Sequence, residues 1–223
     1  MKNVIITGTN GMIGNLILEL CLKSDEIGKI TSITRKPIGI QHPKLTEIIH
    51  NDFLDLKPIE KDFEHQAICF YCLGVYTGQV PNDEFNKITI DYTKSFADML
   101  RKQNENATFC FLSGAGADST EKSNLLFAKA KGIAENHLIK LNFNQLYIFR
   151  PGYIYPVTKR AEPNFMYRVF RYLYKPLSFI YPNIGITSEK LASKMFELGL
   201  KGGNQTILEN KDIRKKGYIL LQS

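Results

Sequence analysis

The chain has 223 residues, 43% of them hydrophobic and 23% charged, with 29 Lys and Arg against 22 Asp and Glu for a net charge of +7. That apolar share can bury a core large enough to offset chain entropy, which excludes wholesale disorder, and 16 Gly with 9 Pro exclude fibrous and low-complexity chains. The basic excess suits an anionic partner, whether a nucleotide phosphate, a nucleic acid or a membrane surface, and does not choose among them.

No apolar run approaches the roughly 18 residues of a membrane span. Residues 1–7 go straight into a short apolar string and a glycine turn, without the longer apolar region of a signal peptide. The expectation is one cytoplasmic domain over residues 1–223, with 153–202 contributing a small cap.

A first strand is predicted over residues 4–7, and Thr7-Gly8-Thr9-Asn10-Gly11-Met12-Ile13-Gly14 then opens a helix over 13–23. Gly8 permits a tight turn, Gly11 lets the backbone approach a pyrophosphate, and Gly14 allows close helix–sheet packing. The helix start, with Asn10, Met12 and Ile13 around it, turns N–H groups toward the phosphates. The spacing is GxxGxxG rather than GxGxxG. Its place between a first strand and a first helix gives it weight over a plain tight turn.

A second strand over 30–34 runs into Arg35 and Lys36. Dinucleotide enzymes that take NAD usually carry an acid here, about 20 residues beyond the glycines. Arg35 instead offers a planar fork suited to a 2′-phosphate, so NADP(H) is expected in preference to NAD, against the alternative of a solvated basic turn. A third strand over 47–50 leads to Asn51-Asp52-Phe53, where Asp52 would accept from an adenine amino group and Phe53 pack beside the base. Asp52 also reads as a helix cap. The fourth strand, 67–73, contains Cys69 and Cys72 at CxxC spacing. No second ligand pair is present for zinc and no helix opens there, so both read as buried thiols and no metal site is expected. Leu73 and Gly74 close this strand at the cofactor edge. Beyond it, helices are predicted over 83–102, 121–141, 164–174 and 188–200, and strands over 108–112 and 145–149. Continuous apolar strands separated by helices give a Rossmann-type doubly wound parallel α/β sheet, with helices on both faces.

The glycine loop, Cys72-Leu73-Gly74, Ser113 after the fifth strand and Arg150-Pro151-Gly152 after the sixth together resemble the extended or atypical short-chain dehydrogenase/reductase superfamily. Leu112-Ser113-Gly114-Ala115-Gly116-Ala117-Asp118, Lys131-Gly132 and Phe149-Arg150-Pro151-Gly152 are similar to its Tat-interacting-protein-like NAD(P)H-binding branch. The likeness covers residues 1–155 and, more loosely, the remainder. It implies a cofactor across the carboxyl edge of the sheet, with Pro151 and Gly152 beside it. It also implies a Ser, a Tyr and a Lys in the active site, the last two as YxxxK. Ser113 would then orient the substrate oxygen and Lys131 hold the nicotinamide ribose. Phe127 occupies the Tyr position, and a phenyl ring transfers no proton. Tyr76 and Tyr153 are candidates to replace the phenol, each also readable as a pocket wall or core aromatic, and Ser113 also reads as a turn residue.

Two functions follow. One is an NADP-dependent oxidoreductase acting on a small organic substrate. The other is a catalytically silent NADP(H)-binding redox sensor or scaffold for a protein partner. Residues 165–175 mix aromatic and basic side chains and suit a cap helix, a peripheral membrane contact or the contact of a homodimer. Nucleic acid is not expected, because basic charge near an NADP site accounts for the excess.

Overall fold

The computed structural model describes residues 1–157, 174 and 181–215. Its central sheet is built on strands that are largely buried, apart from the partly exposed edge strand over residues 45–49. These are β1 (Lys2–Thr7), β2 (Ile27–Thr34), β3 (Leu45–Ile49), β4 (Ile68–Tyr71), β5 (Thr108–Leu112) and β6 (Gln145–Arg150). A short pair, β7 (Tyr153–Tyr155) with β8 (Gly185–Thr187), stands apart, and β9 (Ile207–Glu209) joins the main sheet. Among the described residues the sheet order is β3-β2-β1-β4-β5-β6-β9, every pairing parallel. The parallel α/β fold expected from the sequence is therefore present, with β1 and β4 at its centre.

Alternating side chains feed two cores. Val4, Ile6, Ile30, Phe70 and Phe149 face α1 (Met12–Lys23). Ile5, Ile33, Tyr71, Phe109, Phe111 and Ile148 face the other layer, formed by α3 (Tyr92–Gln103) and α4 (Leu126–Lys140). Between β4 and α3 lies the short α2 (Asn82–Asn86). On the α1 side a further helix, α5 (Ser188–Lys201), inserts Leu191, Met195 and Leu198. It lies on the sheet face beside α1. Gly199 lets it come this close, since a Cβ there would stand 2.6 Å from the Phe70 ring. The predicted helix over 164–174 and the basic aromatic segment lie outside the described residues apart from Tyr174.

The helix predicted over 83–102 is present as one helical run, in which a π-helical stretch over Lys87–Asp91 joins α2 to α3 with right-handed helical angles on both sides. The helix predicted from 121 begins only at Leu126, because the Asp118 carboxylate draws in the N–H groups of Thr120, Lys122 and Ser123 at 2.9, 3.0 and 2.7 Å and holds the chain in a turn. Strands β7, β8 and β9 are too short for any alternation to show. Cys21, Cys69 and Cys110 are buried and Cys72 half-buried, all as free thiols that burial pushes well up and makes unreactive.

Candidate cofactor and active site

The carboxyl ends of β1, β2, β4 and β5 form one edge, and the glycine loop lies across it. Gly8 adopts a φ of +73°, and a Cβ there would stand 2.5 Å from the Cys72 carbonyl oxygen at the end of β4. A Cβ on Gly14 would lie 2.2 Å from the Gly8 oxygen. The loop thus folds flat between β4 and α1 only without side chains. Gly11 is the N-cap of α1, with no side-chain cap and no acid in the first helical turn to offset the positive end of the helix dipole. Ile13 is a core side chain and Met12 a half-buried one, so their share in an anion site comes through their backbone N–H groups. This cradle fits a dinucleotide pyrophosphate.

Arg35 and Lys36 lie exposed just beyond β2, on the same edge. The sites expected for the adenine divide. Asp52 is exposed, and its Oδ1 accepts from the Leu54 N–H at 3.0 Å in a local turn. Phe53 is corrected: it is 0% exposed and packs 5.5 Å from Tyr92 within the aromatic core on the α3 side, so its ring does not face a ligand. Leu73 is half-buried and Gly74 open after β4. Pro151 is buried, its carbonyl accepting from Ala115 at 2.8 Å, and the Gly152 N–H donates to Asn210 Oδ1 at 3.0 Å.

The Ser, Tyr and Lys positions meet on α4 and the loop before it. Phe127, Lys131 and Glu135 stand one helical turn apart on a single face. Lys131 Nζ donates to the Leu112 carbonyl at 3.1 Å and lies 4.8 Å over the Phe111 ring. Burial pulls its amine down to about 8, against the opposing pull of Glu135 and Cys72. The Phe127 ring rests on Gly114, where a Cβ would stand 2.5 Å from the ring's Cζ. Ser113 is buried and donates its hydroxyl hydrogen to Glu135 Oε1. Tyr153 packs 5.6 Å from Tyr174, and Tyr76 is half-buried in a turn closed by Gln79.

Glu135, which the sequence reading passed over, is 0% exposed. Arg150 Nε reaches its two oxygens at 3.1 and 3.2 Å, while an Arg150 terminal nitrogen reaches Oε2 at 2.5 Å. The guanidinium also meets Glu209 Oε1 and Ser119 Oγ, each at 3.0 Å. One cluster therefore joins the ends of β5, β6 and β9 to α4 and to the loop beyond Ser113. The signal was Glu135 one turn beyond Lys131, together with an arginine closing a buried strand. Gly132 is the steric counterpart, since a Cβ there would stand 1.8 Å from the Asp118 oxygen. Gly132→Ala is expected to lift the 113–125 loop off α4 and to cost about 1–3 kcal/mol of stability, measured by chemical denaturation.

Among the described residues no helix is long and apolar enough to cross a membrane. No family model matches the chain. The rat protein HTATIP2 is 28% identical over 164 residues, a match that spans 73% of this chain and 66% of that protein. The mitochondrial protein FMP52-1 of Scheffersomyces stipitis is 24% identical over 221 residues, covering 96% of both chains. The mitochondrial FMP52 of Debaryomyces hansenii is 23% identical over 193 residues, covering 85% of this chain and 84% of its own. The expectation of a cytoplasmic protein is corrected by these fungal relatives, which are named mitochondrial. Among solved structures, Bordetella bronchiseptica WbmH in complex with NAD+ superposes with a TM-score of 0.69 at 16% identity, over 93% of this chain and 74% of that one. The dTDP-glucose 4,6-dehydratase of Bacillus anthracis in complex with NAD gives 0.67 at 12% identity, over 93% and 74%. The sheet order and the glycine cradle give the chain the Rossmann-type fold of these NAD-bound structures, and in sequence it is similar to HTATIP2 and to the FMP52 proteins.

Proposed function

We propose that this chain binds NADP(H) through the glycine loop and Arg35, and that it holds the dinucleotide as a redox sensor or scaffold rather than reducing carbonyls by the Ser–Tyr–Lys route. A bound nicotinamide supplies or accepts a hydride, and the protein must manage the accompanying proton. The observation that carries this reading is the Phe127 ring seated on Gly114 while Ser113 commits its hydroxyl hydrogen to Glu135. Neither the Tyr position nor the adjoining loop then presents an acidic hydrogen to a substrate oxygen.

A second reading, an NADP-dependent oxidoreductase on a small organic substrate, is favoured by Lys131. A buried amine drawn down to about 8 exchanges its proton near neutrality far more readily than an ordinary lysine. Under that reading the enzyme shows NADPH turnover that Lys131→Met abolishes and that falls as pH rises through about 8.

Titration of NADPH and NADH into wild type and Arg35→Ala tests the cofactor half. Loss of the charge-assisted pair to the 2′-phosphate is expected to weaken NADPH binding by about 1.5–3 kcal/mol, roughly tenfold to a hundredfold, and to leave NADH binding nearly unchanged. Equal wild-type affinities for the two cofactors would count against it.

A further inference from the structure

Hydrogen bonds tie the glycine loop to the end of β2. Asn10 Nδ2 donates to Thr34 Oγ1 at 2.9 Å and to the Lys36 carbonyl at 2.7 Å. The Thr34 hydroxyl donates to the same carbonyl at 3.0 Å, and Thr9 Oγ1 and Ser32 Oγ lie 2.9 Å apart beneath them. The Lys36 carbonyl can only accept, so the amide must turn its nitrogen toward the strand, and both of its hydrogens are used. The chain from Thr34 to Lys36 is thereby closed from within by Thr34 and from across the cleft by Asn10. Arg35 sits at the tip of this turn, exposed, while the backbone on either side of it is held.

A long exposed arginine loses rotamer freedom when it grips a phosphate, and a drifting backbone would add to that loss. A turn docked on the phosphate loop fixes where the Arg35 side chain starts relative to the pyrophosphate cradle. We propose that Asn10 is the positioning residue for selection of a 2′-phosphorylated dinucleotide, acting through the Thr34–Lys36 turn rather than by touching the phosphate. This rests on the NADP(H) reading above. Asn10 lies in the glycine loop, but its amide hydrogens point at β2, so its removal bears on the ribose end of the ligand more than on the pyrophosphate.

The test is a double-mutant cycle read as the ratio of NADPH to NADH affinity, in wild type, Asn10→Ala, Arg35→Ala and the double variant, with thermal melts to establish that each is folded. Asn10→Ala is expected to lower the ratio by about fivefold or more, mainly through NADPH, as the loss of a hydrogen-bonded support implies. In the Arg35→Ala background the same change is expected to leave the ratio unmoved. Thr34→Val, which keeps the link from Asn10 to Lys36, should fall between wild type and Asn10→Ala. A ratio unchanged by Asn10→Ala, or an equal fall in both affinities, overturns the proposal. So does a fall that persists without Arg35, since Asn10 would then act independently of the turn. A wild type that does not prefer NADPH, with Arg35→Ala equally indifferent, marks failure of the cofactor reading itself.

Discussion

Glu135→Ala should lower the free energy of unfolding by about 3–5 kcal/mol, the cost of leaving one member of a buried ion pair without its partner. The Glu135 carboxylate receives hydrogen bonds from Ser113 and from the Arg150 guanidinium, and it is 0% exposed, so water does not replace it. Without it Arg150 keeps Glu209, whose side chain is 44% exposed, and the Ser119 hydroxyl. The Glu135 contact is the stronger of the two carboxylate pairings, since three Arg150 hydrogen bonds reach a carboxylate shut off from water, whereas Glu209 receives one and stays partly exposed. Glu209→Gln is the control: it keeps an acceptor for the Asp212 N–H that Glu209 caps and removes only the charge of a half-exposed pair, so it should cost no more than about 1 kcal/mol. Urea denaturation of the two variants separates them. Similar losses for both would mean that Glu135 has no special hold on Arg150.

The second large effect concerns chemistry. Wild type should oxidise NADPH with generic aldehydes, ketones and quinones at or near the uncatalysed rate. Phe127→Tyr should gain on the order of 10²–10⁴-fold with at least one of them. The substitution puts a phenol one helical turn before Lys131, whose charged amine favours the phenolate and tunes it for proton transfer. The ring already lies at the loop that carries Ser113, with its Cζ, the atom that would bear the hydroxyl, beside Gly114. Vigorous wild-type turnover abolished by Tyr76→Phe or Tyr153→Phe would instead show that a displaced tyrosine does the work, and the silent reading would be lost.

What the sequence made legible was what repeats or what stands next to a landmark. Residues 4–7 and 108–112 read as strands because unbroken apolar runs bounded by turns leave little else, and Gly8, Gly11 and Gly14 read as a phosphate loop because they join a strand to a helix. Phe53 misled because an aromatic beside a strand end suits a ligand and a core equally well. Only its packing on Tyr92 and Phe96 decides. Glu135 stayed hidden because its partner Arg150 is distant in sequence and its burial depends on strands that must first assemble. Gly114 looked like one more loop glycine, and its meaning came from the ring that lies on it.

The order of the strands has a consequence for how the chain is made. Synthesis delivers β1 first, yet β1 belongs at the centre and gains its second neighbour only when β4 has been added. The far edge closes later still, because β6 waits for residues 207–209, which pair with Ile148, Phe149 and Arg150. Until then β6 is an open edge rich in aromatic and branched side chains, the kind of surface on which nascent chains adhere to one another. Arg150 sits at the end of that edge and already has Glu135 available from α4, so a charged, paired residue guards the unfinished margin before its last neighbour leaves the ribosome.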